Sequence, residues 1–154
     1  MKAIGMIAHD RLKQALCAWV ARNVAHFQGR TIIATGTTAR LLTAENPSLT
    51  IMGLKSGPLG GDQQMGAMIA DAEISALFFF QDPMTAQPHD VDVKALIRLA
   101  TVYDIPVACN ESTANYLISS PYFAQPALAP PNVTIEQRYG DYLSRTIQTQ
   151  LKQP

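Results

Sequence analysis

Two histidines, four aspartates and one lysine stand in short turns or helix starts of this 154-residue chain: His9, Asp10 and Lys13, then Asp62, Asp82, His89 and Asp92. Carboxylate and imidazole are the side chains that move protons between carbon and oxygen or between two oxygens. Asp62 is the most distinctive, because it follows Gly60-Gly61. A glycine pair permits backbone conformations closed to other residues and close approach of a ligand, so the carboxylate can face a substrate directly. The competing role for Asp62 is an ordinary N-cap, favoured at the positive end of a helix. His9 and His89 can polarise a carbonyl, or merely cap a turn. Asp10, Asp82 and Asp92 can orient a histidine or bind a substrate hydroxyl, and Asp90 and Asp92 also suit the first turn of a helix.

A second group of residues points to an anion. Thr35-Gly36-Thr37-Thr38 supplies small and hydroxyl-bearing residues where successive N–H groups can surround a phosphate at a helix start. A helix cap by Thr37 or Thr38 is the plainer alternative. Lys13 adds a compact positive charge, and Ser56-Gly57 adds another polar, unobstructed turn. No Gly-x-x-x-x-Gly-Lys-Ser/Thr loop and no Gly-x-Gly-x-x-Gly run after the first strand occurs, so the phosphate belongs to something smaller than a nucleotide. His9, His89 and the carboxylates would also suit a zinc or manganese ion, but no His-x-x-x-His or His-x-Glu pairing sits on one element. Cys17 lies in the apolar period of a helix and makes a poor nucleophile, and Cys17 and Cys109 both read as small buried hydrophobes.

These groups need a frame. Apolar β-type runs at 3–8, 31–35, 49–53, 76–80 and 106–110 alternate with segments of helical period. Helices are predicted from Leu12 to about Phe27, closed by Gly29, and then over 38–45, 63–72 and 91–103. A further helix follows Asn110, and a last one over 135–151 has Tyr139, Tyr142, Leu143 and Ile147 as its stripe. Leu77 to Phe80 is apolar on both faces, as a central strand between helical layers must be. The expected fold is α/β: one domain with a doubly wound open sheet of five mainly parallel strands and helices on both faces, a flavodoxin-like three-layer sandwich. Pro121, Pro126, Pro130 and Pro131 make 119–132 read as an irregular connection. In such sheets ligands bind beyond the carboxyl ends of the strands, which is where the singled-out residues fall.

Twelve basic residues balance twelve acidic ones, so no net field draws the chain to nucleic acid or an anionic membrane. Only 16% of residues are charged, which hints at buried subunit contacts. Two cysteines, no secretory pattern and no long uncharged apolar run predict a cytoplasmic protein without disulfides.

With these residues in view, the chain resembles the methylglyoxal synthase family over nearly its whole length. The resemblance is carried by Ile7-Ala8-His9-Asp10 with Lys13, by Ala34 to Thr38, and by Ser56-Gly57-Pro58-Leu59-Gly60-Gly61-Asp62-Gln63-Gln64. Phe79 to Pro83, Pro88 to Leu96 and Ile105 to Asn110 complete it. It implies conversion of dihydroxyacetone phosphate to methylglyoxal and inorganic phosphate, with no metal or organic cofactor, in a homohexamer. It further implies Asp62 as catalytic base, His89 as the neutral group that polarises the substrate, and phosphate contacts from Lys13, Thr35, Gly36, Thr37, Thr38, Ser56 and Gly57. His9, Asp10, Asp82 and Asp92 match supporting site residues, and phosphate is expected to inhibit. The family's C-terminal arginine, which reaches a neighbouring subunit's phosphate, falls at Thr146, with Arg145 and Arg138 as substitutes nearby. A non-catalytic effector-binding module of the same fold is the alternative function.

Overall fold

The computed structural model describes residues 2–86, 88–131 and 133–151, without the side chains of Leu143 and of residues 146–151. Five parallel strands, β1 (Ala3–Ala8), β2 (Thr31–Ala34), β3 (Thr50–Gly53), β4 (Ile74–Phe80) and β5 (Val107–Ala108), form one sheet in the order β3-β2-β1-β4-β5. Period-two alternation divides each inner strand between two cores. On one face Ile4, Met6, Phe78 and Phe80 pack with Leu16, Trp19 and Val20 of α1 (Lys13–Arg22), Leu42 of α2 (Gly36–Glu45) and Ile118 of α5 (Glu111–Ser119). On the other, Ile7, Ile33, Leu77 and Phe79 meet Met65 and Ile69 of α3 (Gly61–Ala70) and Val93 and Leu96 of α4 (Asp90–Val102). The doubly wound three-layer architecture expected from the apolar runs is thus the observed one. The central pair is in register over Met6 with Phe78, Ile7 with Phe79 and Ala8 with Phe80, so both strands end level at the same edge.

Some boundaries differ from the periodicity. The first helix stops at Arg22, and Val24–His26 continues as a 3₁₀ turn. Asn23 causes the break: its side-chain amide donates to the Trp19 carbonyl at 2.8 Å, taking the acceptor that its own N–H would use in an α-helix, and that N–H turns to Val20 instead. Phe27 stays fully buried all the same, because the tight turn returns it to the core. β5 spans two residues, and Pro106, having no N–H, contributes only its carbonyl to Leu77. The Pro-rich segment is more regular than its composition suggests. α6 (Pro121–Ala124) and a 3₁₀ turn over Pro126–Leu128 both begin with proline, which fits the first helical position, and the Ser120 hydroxyl caps α6. Asn132 lies outside the described residues.

The last helix, α7 (Ile135–Leu151), is kinked at Tyr139. It opens with a reciprocal capping box, in which Thr134 and Gln137 each accept from the other's backbone N–H at 3.2 and 2.9 Å. Of its expected apolar stripe Tyr142 is exposed, and the side chains of Leu143 and Ile147 fall outside the description. Arg138 is held within its own chain by Asp104 at 2.8 Å. Arg145 is exposed, and the side chain of Thr146 is outside the described set. Among the described residues no helix is long and apolar enough to cross a membrane.

Candidate active site

A cavity of about 290 Å³ opens at the carboxyl edge of the sheet, above the ends of β1 and β4. The strand order makes this the place where successive connections leave in opposite directions: β2 and β3 lie to one side of β1, β4 and β5 to the other. His9, Asp10, Lys13, Thr35, Thr37, Ser56, Gly57, Asp62 and His89 line the cavity. Nine of the residues singled out by type and spacing are therefore brought together. Ile7, Ala8, Pro58, Phe79 and Pro88 add apolar walls. None of the five was singled out as a site residue, although the last inward-facing positions of the central strands are where a floor must lie.

Asp62 occupies the second position of α3, not its cap. Gly60 is the N-cap, in a left-handed conformation (φ 96°) that only glycine adopts freely, and no side chain caps this helix. The turn closes as Gly61 donates its N–H to the Ser56 carbonyl at 2.9 Å. A Cβ on Gly61 would lie 2.0 Å from the Lys55 carbonyl oxygen, so the approach that places α3 requires glycine here. The Asp62 side chain is 3% exposed, and neither carboxylate oxygen has a hydrogen-bond partner. Burial raises its carboxyl above the ordinary aspartate range. The charge of His89 works against that rise, and the negative charge of Asp92 adds to it. Desolvation thus opposes the helix end, which by itself favours the ionised carboxylate.

His89 stands at the N-terminus of α4 without capping it, and its Nε2 lies 3.5 Å from Asp62 Oδ2. The two groups are close without being hydrogen-bonded, and His89 Nδ1 is also unpartnered. Gly57 borders both: a Cβ there would sit 3.0 Å from Asp62 Oδ2 and 3.0 Å from His89 Nε2. His9 is fixed differently. Its Nδ1 accepts the Asp82 backbone N–H at 3.0 Å, so its ring proton resides on Nε2, which is buried without a partner, and its ring stands edge-on to Phe79. Asp82 thus orients a histidine through its main chain. Asp82 is not among the residues lining the cavity; its carboxylate accepts from the Met84 N–H at 3.0 Å and lies 3.9 Å from Arg11, and hydrogen bonds from Thr85 and Met84 hold it below the ordinary range.

Thr35, also in the lining, is the N-cap of α2 and makes no side-chain capping bond. The hydroxyls of Thr35 and Thr37 are therefore free of the capping role, and the first-turn N–H groups of α2 are of the kind no helix can pair internally. Gly36 is packed against Ser56, where a Cβ would be 2.8 Å from the Ser56 nitrogen. Thr38 is fully buried with its hydroxyl oxygen unpartnered and lies outside the lining. Asp92 is half-buried one turn into α4, also outside the lining, and acts on Asp62 through its charge. Lys13 forms an ion pair with exposed Asp10, whose carboxyl is held below the ordinary range by that lysine. Both thiols are free, and burial pushes Cys17 up to about 11. Among the described residues no three of His, Cys, Asp and Glu are grouped to hold a metal ion.

A buried, unpaired carboxylate beside an imidazole, facing a wall of hydroxyls, amides and an amine, can remove a proton from a carbon acid and hold an anionic group on the same molecule. Residues 16–109 match the MGS-like domain. A methylglyoxal synthase of Oleidesulfovibrio alaskensis is 55% identical over 119 residues, covering 77% of this chain and 81% of that protein. One of Aliivibrio fischeri is 49% identical over 147 residues, covering 95% and 93%. A crystal structure of methylglyoxal synthase from Elizabethkingia anophelis superposes with a TM-score of 0.75 at 46% identity, over 80% of each chain. By sequence over most of its length and by its fold, the chain belongs to the methylglyoxal synthase family.

Proposed function

We propose that the protein is a carbon–oxygen lyase that converts dihydroxyacetone phosphate to methylglyoxal and inorganic phosphate. The observation that carries this reading is the Asp62 carboxylate, buried without a hydrogen bond 3.5 Å from His89, in a cavity also lined by Lys13, Thr35, Thr37, Ser56 and Gly57, which suit phosphate. Asp62 takes a proton from the hydroxymethyl carbon while an N–H of His89 stabilises the carbonyl oxygen as it becomes an enediolate. Isomerases of triose phosphate use the same pairing of carboxylate and imidazole. The outcomes diverge at the next step. The hydroxyl on the deprotonated carbon gives up its proton and its oxygen becomes the aldehyde carbonyl, while the electron pair of the new carbon–carbon double bond shifts by one bond. The carbon–oxygen bond to phosphate breaks, the departing phosphate takes up the hydroxyl proton, and the resulting enolate takes the proton held by Asp62 at its terminal methylene to give methylglyoxal.

Elimination requires that breaking bond to stand out of the enediolate plane. Lys13, Thr35, Thr37, Ser56 and Gly57 suit that task, gripping the phosphate and stabilising it as it leaves. The size of the cavity fits a three-carbon phosphate, and Ile7 and Phe79 limit it below. A module that only binds its ligand gains nothing from a buried carboxylate without a partner, which costs stability. The same reading makes inorganic phosphate an inhibitor as well as a product, and the protein a cytoplasmic homohexamer. Exposed Leu59, Met84 and Val91, with Met84 87% exposed, support burial between subunits. Sedimentation velocity tests the assembly: a monomer at micromolar concentration would remove it. The reaction is tested by adding dihydroxyacetone phosphate to pure, chelator-treated protein and following methylglyoxal and phosphate together. Both are expected in equal amounts, and the absence of both defeats the assignment.

A further inference from the structure

Within one chain, the described residues bring little net positive charge to the phosphate wall. Its one amine, Lys13, is matched by Asp10 in the same subsite, so the pair brings little net charge to a phosphate dianion. Arg11 faces the Asp82 carboxylate at 3.9 Å. Arg40 is placed otherwise. It sits on the exposed side of α2, one turn after Thr37, and its guanidinium Nη2 donates to Thr37 Oγ1 at 3.3 Å. Among the described residues no carboxylate pairs with it.

A threonine hydroxyl has one proton to give and two lone pairs to receive with. When Thr37 Oγ1 accepts from Arg40, its own proton is free to point into the cavity, which Thr37 lines. Accepting from a cation also polarises the hydroxyl and strengthens the bond it donates. We infer that Arg40 is a positioning residue for the phosphate subsite, acting through Thr37: it fixes the direction of the hydroxyl and passes part of its charge to the bound phosphate. The inference rests on the phosphate reading of this wall and extends it to a side chain that does not line the cavity.

The test separates the two. Inorganic phosphate binding is measured by calorimetry, without substrate, for the native protein and for Arg40→Gln, Arg40→Lys, Thr37→Val and the Arg40→Gln/Thr37→Val double variant. Lys55→Ala serves as a control, since it removes an exposed positive charge beside Ser56, outside the helix that carries Thr37. Arg40→Gln is expected to weaken phosphate binding about three- to tenfold, the scale of one partly exposed hydrogen bond. KM for substrate should rise by a similar factor, with kcat falling by less. Arg40→Lys should recover part of the loss. In the Thr37→Val background Arg40→Gln should cost nothing further. Equal affinity in the native and Arg40→Gln proteins overturns the inference, as do losses that add in the double variant or a loss at Lys55→Ala as large as at Arg40→Gln. If the native protein binds no phosphate, the reading of the wall fails and the inference with it.

Discussion

The Asp62 carboxylate accepts no hydrogen bond and has only the His89 imidazole beside it, at 3.5 Å, and that has two measurable consequences. Asp62→Asn keeps the shape and removes the charge, so turnover should fall at least about a hundredfold, the lower scale for a catalytic base, in an assay of methylglyoxal release. The same variant should melt at a higher temperature than the native protein by differential scanning calorimetry, because a buried charge with no partner costs more than a buried neutral amide. Lower activity without a rise in melting temperature would separate the two effects. The pH dependence follows from the direction of the shift. The folded protein holds the Asp62 carboxyl above the ordinary aspartate range, so its protonated form is the one folding favours. Its stabilising contribution is present below the ordinary value and is lost as pH rises through the raised one. Activity runs the other way, and the acid limb of kcat/KM should lie above the range of an unperturbed aspartate. Asp62 and His89 were legible in the sequence from a glycine pair and a loop position. The roles of Gly57 as the border between them and of the Asp82 main chain as the support for His9 were not, because a sequence records side chains and these depend on backbone direction.

At the scale of elements, the turn from Ser56 to Gly61 determines where Asp62 points. Gly61→Ala forces a Cβ into the Lys55 carbonyl, a contact that backbone can relieve only by moving the start of α3. We expect a loss of about 1–3 kcal/mol in urea unfolding, the usual cost of overpacking, together with a drop in kcat larger than that stability loss explains at low temperature. A variant with native kcat would show that the helix start tolerates displacement. The strands and helices themselves were readable where a single period ran unbroken: β1 and α7 have the limits their patterns predict. The misses are local. Asn23 ended a helix that hydrophobic spacing carried on to Phe27, because the spacing of buried residues survives a 3₁₀ turn. Proline was read as a breaker at 121 and 126, where it opens a turn of helix instead.

The whole molecule is assembled around β4 and β1, with Phe78 at the meeting point of three helical elements. Its ring lies 5.2 Å from Trp19, 6.1 Å from Phe27 and 6.0 Å from Phe123. Phe78→Ala should cost about 3–5 kcal/mol in denaturant unfolding, the range for deleting a buried aromatic. The cavity opens at the carboxyl edge of the sheet and Phe78 does not line it, so the folded fraction of the variant should retain substrate affinity. The reversal of strand order between β1 and β4 has a further consequence. The residues that suit phosphate all come from the first three strands and their turns, while His89 comes from the segment after β4, and α3 with Asp62 forms the connection between the halves. Recognition and reactivity are therefore inherited on separate stretches of chain. A descendant that altered only the later stretch would lose its chemistry and keep its ligand, turning a catalyst into a sensor of the same molecule without rebuilding the pocket that holds it.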